Sequence, residues 1–328
     1  MNSPIQPIGE GWFVPELLAN VAGMPAALRL RPCGPIDWLD SPWLNSLIRQ
    51  APCVMCAADL PDEPSIRNSV EAIGILVAPF ETLWTADREW PQNPPSGTAW
   101  IQGNGYLNQI GKPNAAQAAS RQRAMTLIQL VANDADTHEL EAIFRQDAGL
   151  AYQLLRMVNS PAQGLRRTIT SFSQALLILG RQPLKRWLNL LLFAARDDDP
   201  RSAMLMARVV FRARGMELLA QQAGMDRTQQ EQVFMAGMFS MLDVLMGQPL
   251  KDILRPIAIT DELRAALLER QGPIAHCLTS WEALESGDCH RSRDAIQAFN
   301  LSPHEASALL AEAAGWMFQL IRGPMNDG

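Results

Sequence analysis

Residues Leu140–Ala195 read LEAIFRQDAGLAYQLLRMVNSPAQGLRRTITSFSQALLILGRQPLKRWLNLLLFAA, and this stretch decides the fold. Leu150, Leu154, Leu155 and Val158 recur with the 3.6-residue period of a helix that buries one face. Asp147 is placed to cap that helix, because a short carboxylate accepts the unpaired N–H groups of a first turn. The helix runs out at Asn159-Ser160-Pro161, where the proline biases the preceding residue away from helical geometry. Gly164 falls in a tight connection, and Ser171 is placed to cap a second helix carrying Phe172, Ala175, Leu176 and Leu179. Gly180 is a good terminator for it. Pro183 then opens a third helix at a first-turn position, where its missing N–H costs nothing. Short helices joined by short turns predict an all-helical domain.

Outward from this stretch the chain stays helical. Met125, Leu127, Ile128 and Val131 predict a helix before it, and Ala203–Gln222 a long one after it, with Arg208, Arg212 and Arg214 spread over its faces. Further helices are predicted over Gln229–Met246, Asp261–Glu269, Ile274–Ser286 and Pro303–Ile321. Residues 1–110 have another texture. Ala26–Leu30, Cys53–Leu60, Ala72–Phe80 and Thr98–Gln102 read as short strands, and Ser41–Gln50 and Ser65–Ala72 as helices between them. Residues 111–124 are polar and rich in small side chains, so the expected organisation is an α/β domain over 1–110, a linker over 111–124 and an all-α domain over 125–328.

Composition narrows the classes. At 328 residues, each of two domains has room to bury a core. Hydrophobic residues make up 48% and charged residues 19%, which marks a globular chain, and the net charge of −6 argues against a partner bound mainly through phosphates. Five scattered cysteines, an odd number, argue against a disulfide framework. No basic segment followed by an apolar core opens the chain, and the run Leu188–Ala195 is too short to span a bilayer. The expectation is a cytoplasmic protein with no membrane or nucleic-acid partner.

Asp147, Leu154-Leu155, Asn159-Ser160, Gly164, Ile169-Thr170-Ser171, Gln174-Ala175 and Leu179-Gly180 together resemble the signature of HDOD domains, all-helical relatives of the HD phosphohydrolases. Trp187 further resembles the subgroup in which an HDOD domain follows a degenerate EAL domain. The resemblance implies a signalling output module. By the same resemblance, residues 1–110 look like a shortened, degenerate EAL-like (β/α) domain, through Cys56–Asp59, Ile73–Val77 and Trp100–Gly103 with Tyr106-Leu107. This region departs from that pattern: a closed (β/α) barrel takes about 250 residues. No Glu-Ala-Leu motif is present, Glu16 in Pro15–Leu18 reads as an ordinary helix residue, and Asp59 is the only acid where a pair is expected. Two-metal phosphoester cleavage needs several carboxylates converging on ions about 3.5–4 Å apart.

The helical half raises the same question of metal chemistry. HD enzymes hold their ions with histidines and aspartates, and none of His138, His276, His290 and His304 is followed by Asp. Ala236–Met241 looks like the counterpart of the family's ligand stretch, so Ser240 and Met241 stand where a histidine and an aspartate would be. A hydroxyl and a thioether are poor ligands for a hard cation. No metal, cofactor or catalytic residue is therefore expected, and the chain is expected not to be an enzyme. Cys53 and Cys56 read as buried structural cysteines. Arg166, Arg167, Arg181, Lys185 and Arg186 form a basic cluster that reads either as a solvated face or as a surface for an acidic partner. The resulting expectation is a non-catalytic adaptor in cyclic di-GMP-linked or two-component regulation. Its partners would be other signalling proteins, such as a response regulator, a diguanylate cyclase or phosphodiesterase, or a kinase, with a second copy of the chain as a further contact; the alternatives are a sensor that binds cyclic di-GMP without hydrolysing it and a residual HD-type phosphohydrolase.

Overall fold

The computed structural model describes residues 10–88, 90, 93–108, 122–123, 125–127, 129–130, 133, 135–146, 148–161, 168–191 and 200–322. Its amino-terminal part is a six-stranded sheet in the order β4-β3-β2-β1-β6-β5. The strands are β1 (Trp12–Ala19), β2 (Pro25–Cys33), β3 (Cys53–Cys56), β4 (Leu76–Ala78), β5 (Leu83–Thr85) and β6 (Trp100–Gln102), with α1 (Pro42–Gln50) and α2 (Pro64–Ala72) as the crossovers β2–β3 and β3–β4. The strand β1 is antiparallel to both of its neighbours, whereas β2, β3 and β4 run parallel, as do β5 and β6. All strands except β1 therefore share one direction.

This topology corrects the expectation of a partial EAL-like (β/α) domain. The sheet is mixed and opens with a β1–β2 hairpin, and β4 passes to β5 with no α-helix between them. Glu16 lies on a strand, not on a helix. Pro15 and Glu16 break the apolar alternation of β1, so the helix reading arose from local composition, whereas full pairing with β2 decides for strand.

The sheet is curled. Its outermost strands β4 and β5 are separated by only Pro79–Thr82, which spans at most about 14 Å. Leu18, Ala27, Val54, Cys56, Ala78 and Leu83, with Trp100 packed against them, form one apolar cluster that draws on all six strands. Both edge strands contribute to it, so their inner faces meet across the curl.

The carboxyl-terminal part comprises α3 (Thr137–Gln146), α4 (Ala148–Val158), α5 (Phe172–Leu179), α6 (Arg181–Leu190), α7 (Pro200–Gln222), α8 (Arg227–Phe239), α9 (Leu242–Met246), α10 (Leu250–Leu254), α11 (Asp261–Leu268), α12 (Gly272–Leu284), α13 (Cys289–Ala298) and α14 (Pro303–Arg322). At its centre, α7 packs on α8 and α14. A Cβ on Gly237 would come within 2.6 Å of the Ala213 Cα, so only glycine permits the α7–α8 approach.

One continuous core runs from the sheet into the helices. Strand β1 and helix α1 pack on α14, where the Gln319 side-chain amide donates to Gln50 Oε1 at 3.0 Å and Arg322 donates to the Gln50 carbonyl at 3.2 Å. Cys33 at the end of β2 and Cys289 at the start of α13 form a disulfide, with their Cα atoms 5.7 Å apart. This one bond, with Cys53, Cys56 and Cys277 left free, joins the two halves of the chain. Its partners are 256 residues apart, so no local spacing announces it.

Candidate functional site at the seam between sheet and helices

The inner face of the curled sheet is layered. Residues two apart on a strand share a face, and each of Leu18, Ala27, Leu83 and Trp100 in the apolar cluster has a polar residue two positions away: Glu16, Arg29, Thr85 and Gln102. The step runs toward the carboxyl end in β2, β5 and β6 and toward the amino end in antiparallel β1, so all four fall in one layer. Arg29 is its hub. It donates to Glu16 Oε2 at 3.1 Å, to Gln102 Oε1 at 2.6 Å, and through Nε and Nη2 to Asp59 Oδ2 at 3.1 and 2.7 Å. Gln102 passes the chain on by donating to Thr85 Oγ1 at 2.8 Å. Burial pushes the Glu16 carboxyl above the ordinary glutamate range, against the pull of Arg29 and Arg31, and the Asp59 charge adds to the push.

The next residues on the same face of β2 reach the helices. Arg31 donates to the Gly287 carbonyl at 3.0 Å, and Cys33 is bonded to Cys289. Behind that corner, Glu285 closes the end of α12 and faces two arginines of α7. The Arg212 Nε donates to Glu285 Oε1 at 2.8 Å, and its Nη2 makes a second, shorter contact to the same oxygen. Arg208 donates to the Glu285 carbonyl at 3.1 Å and lies 3.3 Å from its Oε2. Burial works against the Arg208 charge, but Glu285, with Tyr106, Glu16 and Glu282 behind it, holds the guanidinium above its ordinary range. Tyr106 is buried among these groups, and that burial raises its phenol. The acids and bases of sheet and bundle thus form one buried polar seam at the carboxyl ends of the parallel strands, where open α/β sheets place ligands.

A second ion network lies inside the bundle. Arg186 on α6 pairs with Glu217 on α7 and Glu231 on α8, each at 2.7 Å, and stacks 3.9 Å above the Phe234 ring. Arg214 pairs with Glu217 and with Glu312 on α14, each at 2.6 Å. Arg186, expected in a basic surface cluster, is thus turned into the bundle. Arg181 and Lys185 lie on α6, and nothing of their side chains is described. Arg166 and Arg167, like Asp147 and Gly164 of the signature, lie outside the described residues.

The remaining signature residues build the connection between α4 and α5. Asn159 Nδ2 donates to the Leu155 and Ile169 carbonyls at 2.8 and 2.7 Å, and its Oδ1 accepts from the Ile169 N–H at 2.7 Å. One side chain thereby closes the connection at both ends. Ser171 caps α5 by accepting from the Gln174 N–H at 3.2 Å, while Gln174 Oε1 reaches back to the Thr170 N–H at 2.8 Å. Leu154, Ile169, Ala175 and Trp187 are buried in the core, and Ser160 is buried too. Gly180 takes φ +79°, which favours glycine, between α5 and α6. Outside these positions, Tyr152 on α4 and Leu177 and Ile178 on α5 are exposed by 60%, 85% and 44%, although all three are large and apolar.

Ser240 and Met241 sit at the end of α8. The Ser240 hydroxyl accepts from Arg212 Nη1 at 2.9 Å and donates to the Gly237 carbonyl at 2.8 Å, and Met241 is buried. A hydroxyl committed to a guanidinium has the wrong neighbour for a divalent cation, so these positions do not fit a metal. Among the described residues, no group of three or more His, Cys, Asp and Glu side chains is placed to hold a metal ion.

Residues 119–255 match the family model described as HDOD domain. This region is an HDOD domain. A stretch of 189 residues is 29% identical to the Vibrio cholerae protein named cyclic di-GMP phosphodiesterase CdgJ, covering 58% of this chain and 43% of the relative. A stretch of 178 residues is 29% identical to Bacillus subtilis YuxH, named as uncharacterised, covering 54% of this chain and 42% of that one. Each match thus spans less than half of the relative's own length. A crystal structure of a candidate phosphohydrolase from Shewanella amazonensis SB2B aligns over 66% of this chain and 98% of its own, with a TM-score of 0.44 and 15% identity.

These comparisons correct the expectation that the chain is not an enzyme, since a relative is named as a phosphodiesterase. The expectation rested on ligands missing from particular positions, and substitutions in one place say nothing about chemistry elsewhere in the chain. Sequence reasoning also overlooked the seam: Glu16, Arg29, Gln102, Tyr106, Arg208, Arg212 and Glu285 were not singled out for it. The alternation Ala27, Arg29, Arg31, Cys33 was its one legible signal, since it puts two arginines and a cysteine on one strand face.

Proposed function

We propose that this protein is a signalling output module whose HDOD helices bind another protein, within cyclic di-GMP-linked or two-component regulation. The observation that carries the reading is the apolar exposure on α4 and α5, two helices that pack on one another. Leu154 and Ala175 already fill the core from these helices, so Tyr152, Leu177 and Ile178 are left facing outward. Large apolar side chains left exposed on two neighbouring helices offer contacts to a partner protein. The partner would be another signalling protein: a response regulator, a diguanylate cyclase or phosphodiesterase, or a kinase. The curled sheet, tied to the bundle through the buried seam, would set the position of the helices relative to that partner. A cytoplasmic setting belongs to the same proposal; no helix among the described residues is long and apolar enough to cross a membrane.

The test is a parallel affinity capture with the full chain and a Leu177→Asp/Ile178→Asp variant as baits. A signalling protein retained by the first bait and lost from the second supports the reading. Equal retention by both places the contact elsewhere and overturns it. Light scattering on the same two samples separates self-association from partner binding.

The polar layer around Arg29 favours a second reading, a site for cyclic di-GMP at the carboxyl ends of the parallel strands. Titration calorimetry with the dinucleotide, followed by product chromatography after incubation with Mg2+ or Mn2+, tests both binding and cleavage. Absence of heat at tens of micromolar ligand would sink that reading.

A further inference from the structure

We propose that the Cys33–Cys289 disulfide is a redox-operated latch that holds the corner between α12 and α13 against β2, opened by a small-molecule thiol and closed by the matching disulfide. Three observations converge on it. First, the bond ties the sheet's strand β2 to the α12–α13 corner beside the Arg31–Gly287 hydrogen bond, which lies two residues away on each side. Second, access is asymmetric. Cys33 is 4% exposed, whereas Cys289 is part-exposed at the first position of α13, flanked by exposed Asp288 and His290. The Cys289 side of the bond is therefore the more open one to an attacking thiolate. Third, the remaining cysteines are kept out of the exchange. Cys53, Cys56 and Cys277 are free and buried, and burial pushes the thiols of Cys53 and Cys277 up to about 12.

The exchange balances as follows. A thiolate of the reductant attacks Cys289 Sγ, forming a mixed disulfide and expelling Cys33 as a thiolate that takes a proton from water. A second reductant thiolate attacks the outer sulfur and releases Cys289 as a thiolate that likewise takes a proton from water. The protein gains two electrons and two protons, and the reductant leaves as its disulfide. Once the bond is open, the Arg31–Gly287 hydrogen bond still ties the corner to β2, while α1 and β1 stay packed on α14. The expected consequence is local: the corner loosens beside Glu285 and the buried seam, and the two halves stay together. This inference stands independently of the partner-binding reading.

The test compares the full-length chain after treatment with oxidised glutathione and after dithiothreitol. Peptide mapping without reduction is expected to yield a cross-linked Cys33–Cys289 peptide in the first sample only. Iodoacetamide applied to the folded, reduced protein is expected to label Cys289 and to leave Cys53 and Cys277 unlabelled. Amide hydrogen exchange over residues 284–292 is expected to accelerate by about tenfold or more on reduction, with exchange in α7 unchanged. The Cys289→Ser and Cys33→Ser variants should each show the fast pattern with or without dithiothreitol. The proposal is overturned if no cross-linked peptide forms under oxidised glutathione. It is equally overturned if the bond opens with exchange at 284–292 unaltered, or if α7 loosens along with the corner.

Discussion

Glu16, half-buried in the sheet, and Glu217, buried in the bundle, both face arginines, yet their carboxyl groups are displaced in opposite directions. Burial raises both. For Glu217 the guanidiniums of Arg186 and Arg214 outweigh it, and the carboxyl is held below its ordinary range. For Glu16, Arg29 and Arg31 do not, and the carboxyl stays above it. The difference lies in how charge is shared. In the bundle, two arginines converge on one carboxylate: Arg186 at 2.7 Å and Arg214 at 2.6 Å. In the sheet, one arginine is divided between two carboxylates, Glu16 at 3.1 Å and Asp59 at 2.7 Å, which also repel each other. Two guanidiniums thus meet at Glu217, each shared in turn, Arg186 with Glu231 and Arg214 with Glu312, and the network braces α6, α7, α8 and α14. The sheet network leaves its acid under-compensated at the seam. A buried group with too little compensation is the one whose state a bound ligand or a shifted neighbour can change.

The largest expected effect tests the bundle side. Glu217→Ala removes the buried carboxylate that Arg186 and Arg214 share; Arg186 keeps Glu231 and Arg214 keeps Glu312, so the expected cost is about 3 kcal/mol, the low end for a broken buried pair. Urea unfolding measures it, and a loss below about 1 kcal/mol would mean that the network does not brace the helices. Next, Arg29→Met strips Glu16 and Asp59 of their shared partner; both keep some solvent contact, so the expected cost is smaller, about 2 kcal/mol by the same assay.

The smallest effects carry the sharpest contrast, because they differ in sign. The carboxyl of Glu217 is lowered in the folded protein, so its stabilisation is complete above the ordinary glutamate value and is lost as pH falls through the folded value. The Glu217→Gln variant should therefore lose ground against the parent as pH rises from about 3 to 7. Glu16 is raised, so the folded state holds its proton more tightly, and the parent loses stability as pH rises from the ordinary value through the folded one. Glu16→Gln should gain on the parent over that interval. Denaturant titrations at several pH values read both slopes. Slopes of the same sign would break the comparison.

Some features were legible because they are made by neighbours in sequence. Ser171 caps the helix that begins beside it, Gly180 takes a conformation that favours glycine, and Asn159 bonds Leu155 and Ile169, four and ten residues away. That locality is also why the HDOD resemblance and the family match agree on this region. The crossover helices and most strands were readable for the same reason. The strand β1 was not, since Glu16 finds its partner Arg29 only across a hairpin. Arg186 is the counterpart in the bundle: beside Lys185 and Arg181 it reads as part of a charged face, and only the approach of α7 and α8 turns it inward.

The sequence by itself determined the helices of the carboxyl-terminal part, with their turns and caps, because periodicity and capping act over a few residues. Tertiary structure alone decided the seam. Arg29 meets Gln102 across 73 residues, Arg212 meets Glu285 across another 73, and Cys33 meets Cys289 across 256. Such pairings are chosen by the curl of the sheet and the packing of α7 against α12, and no local pattern encodes the distance between residues so far apart along the chain.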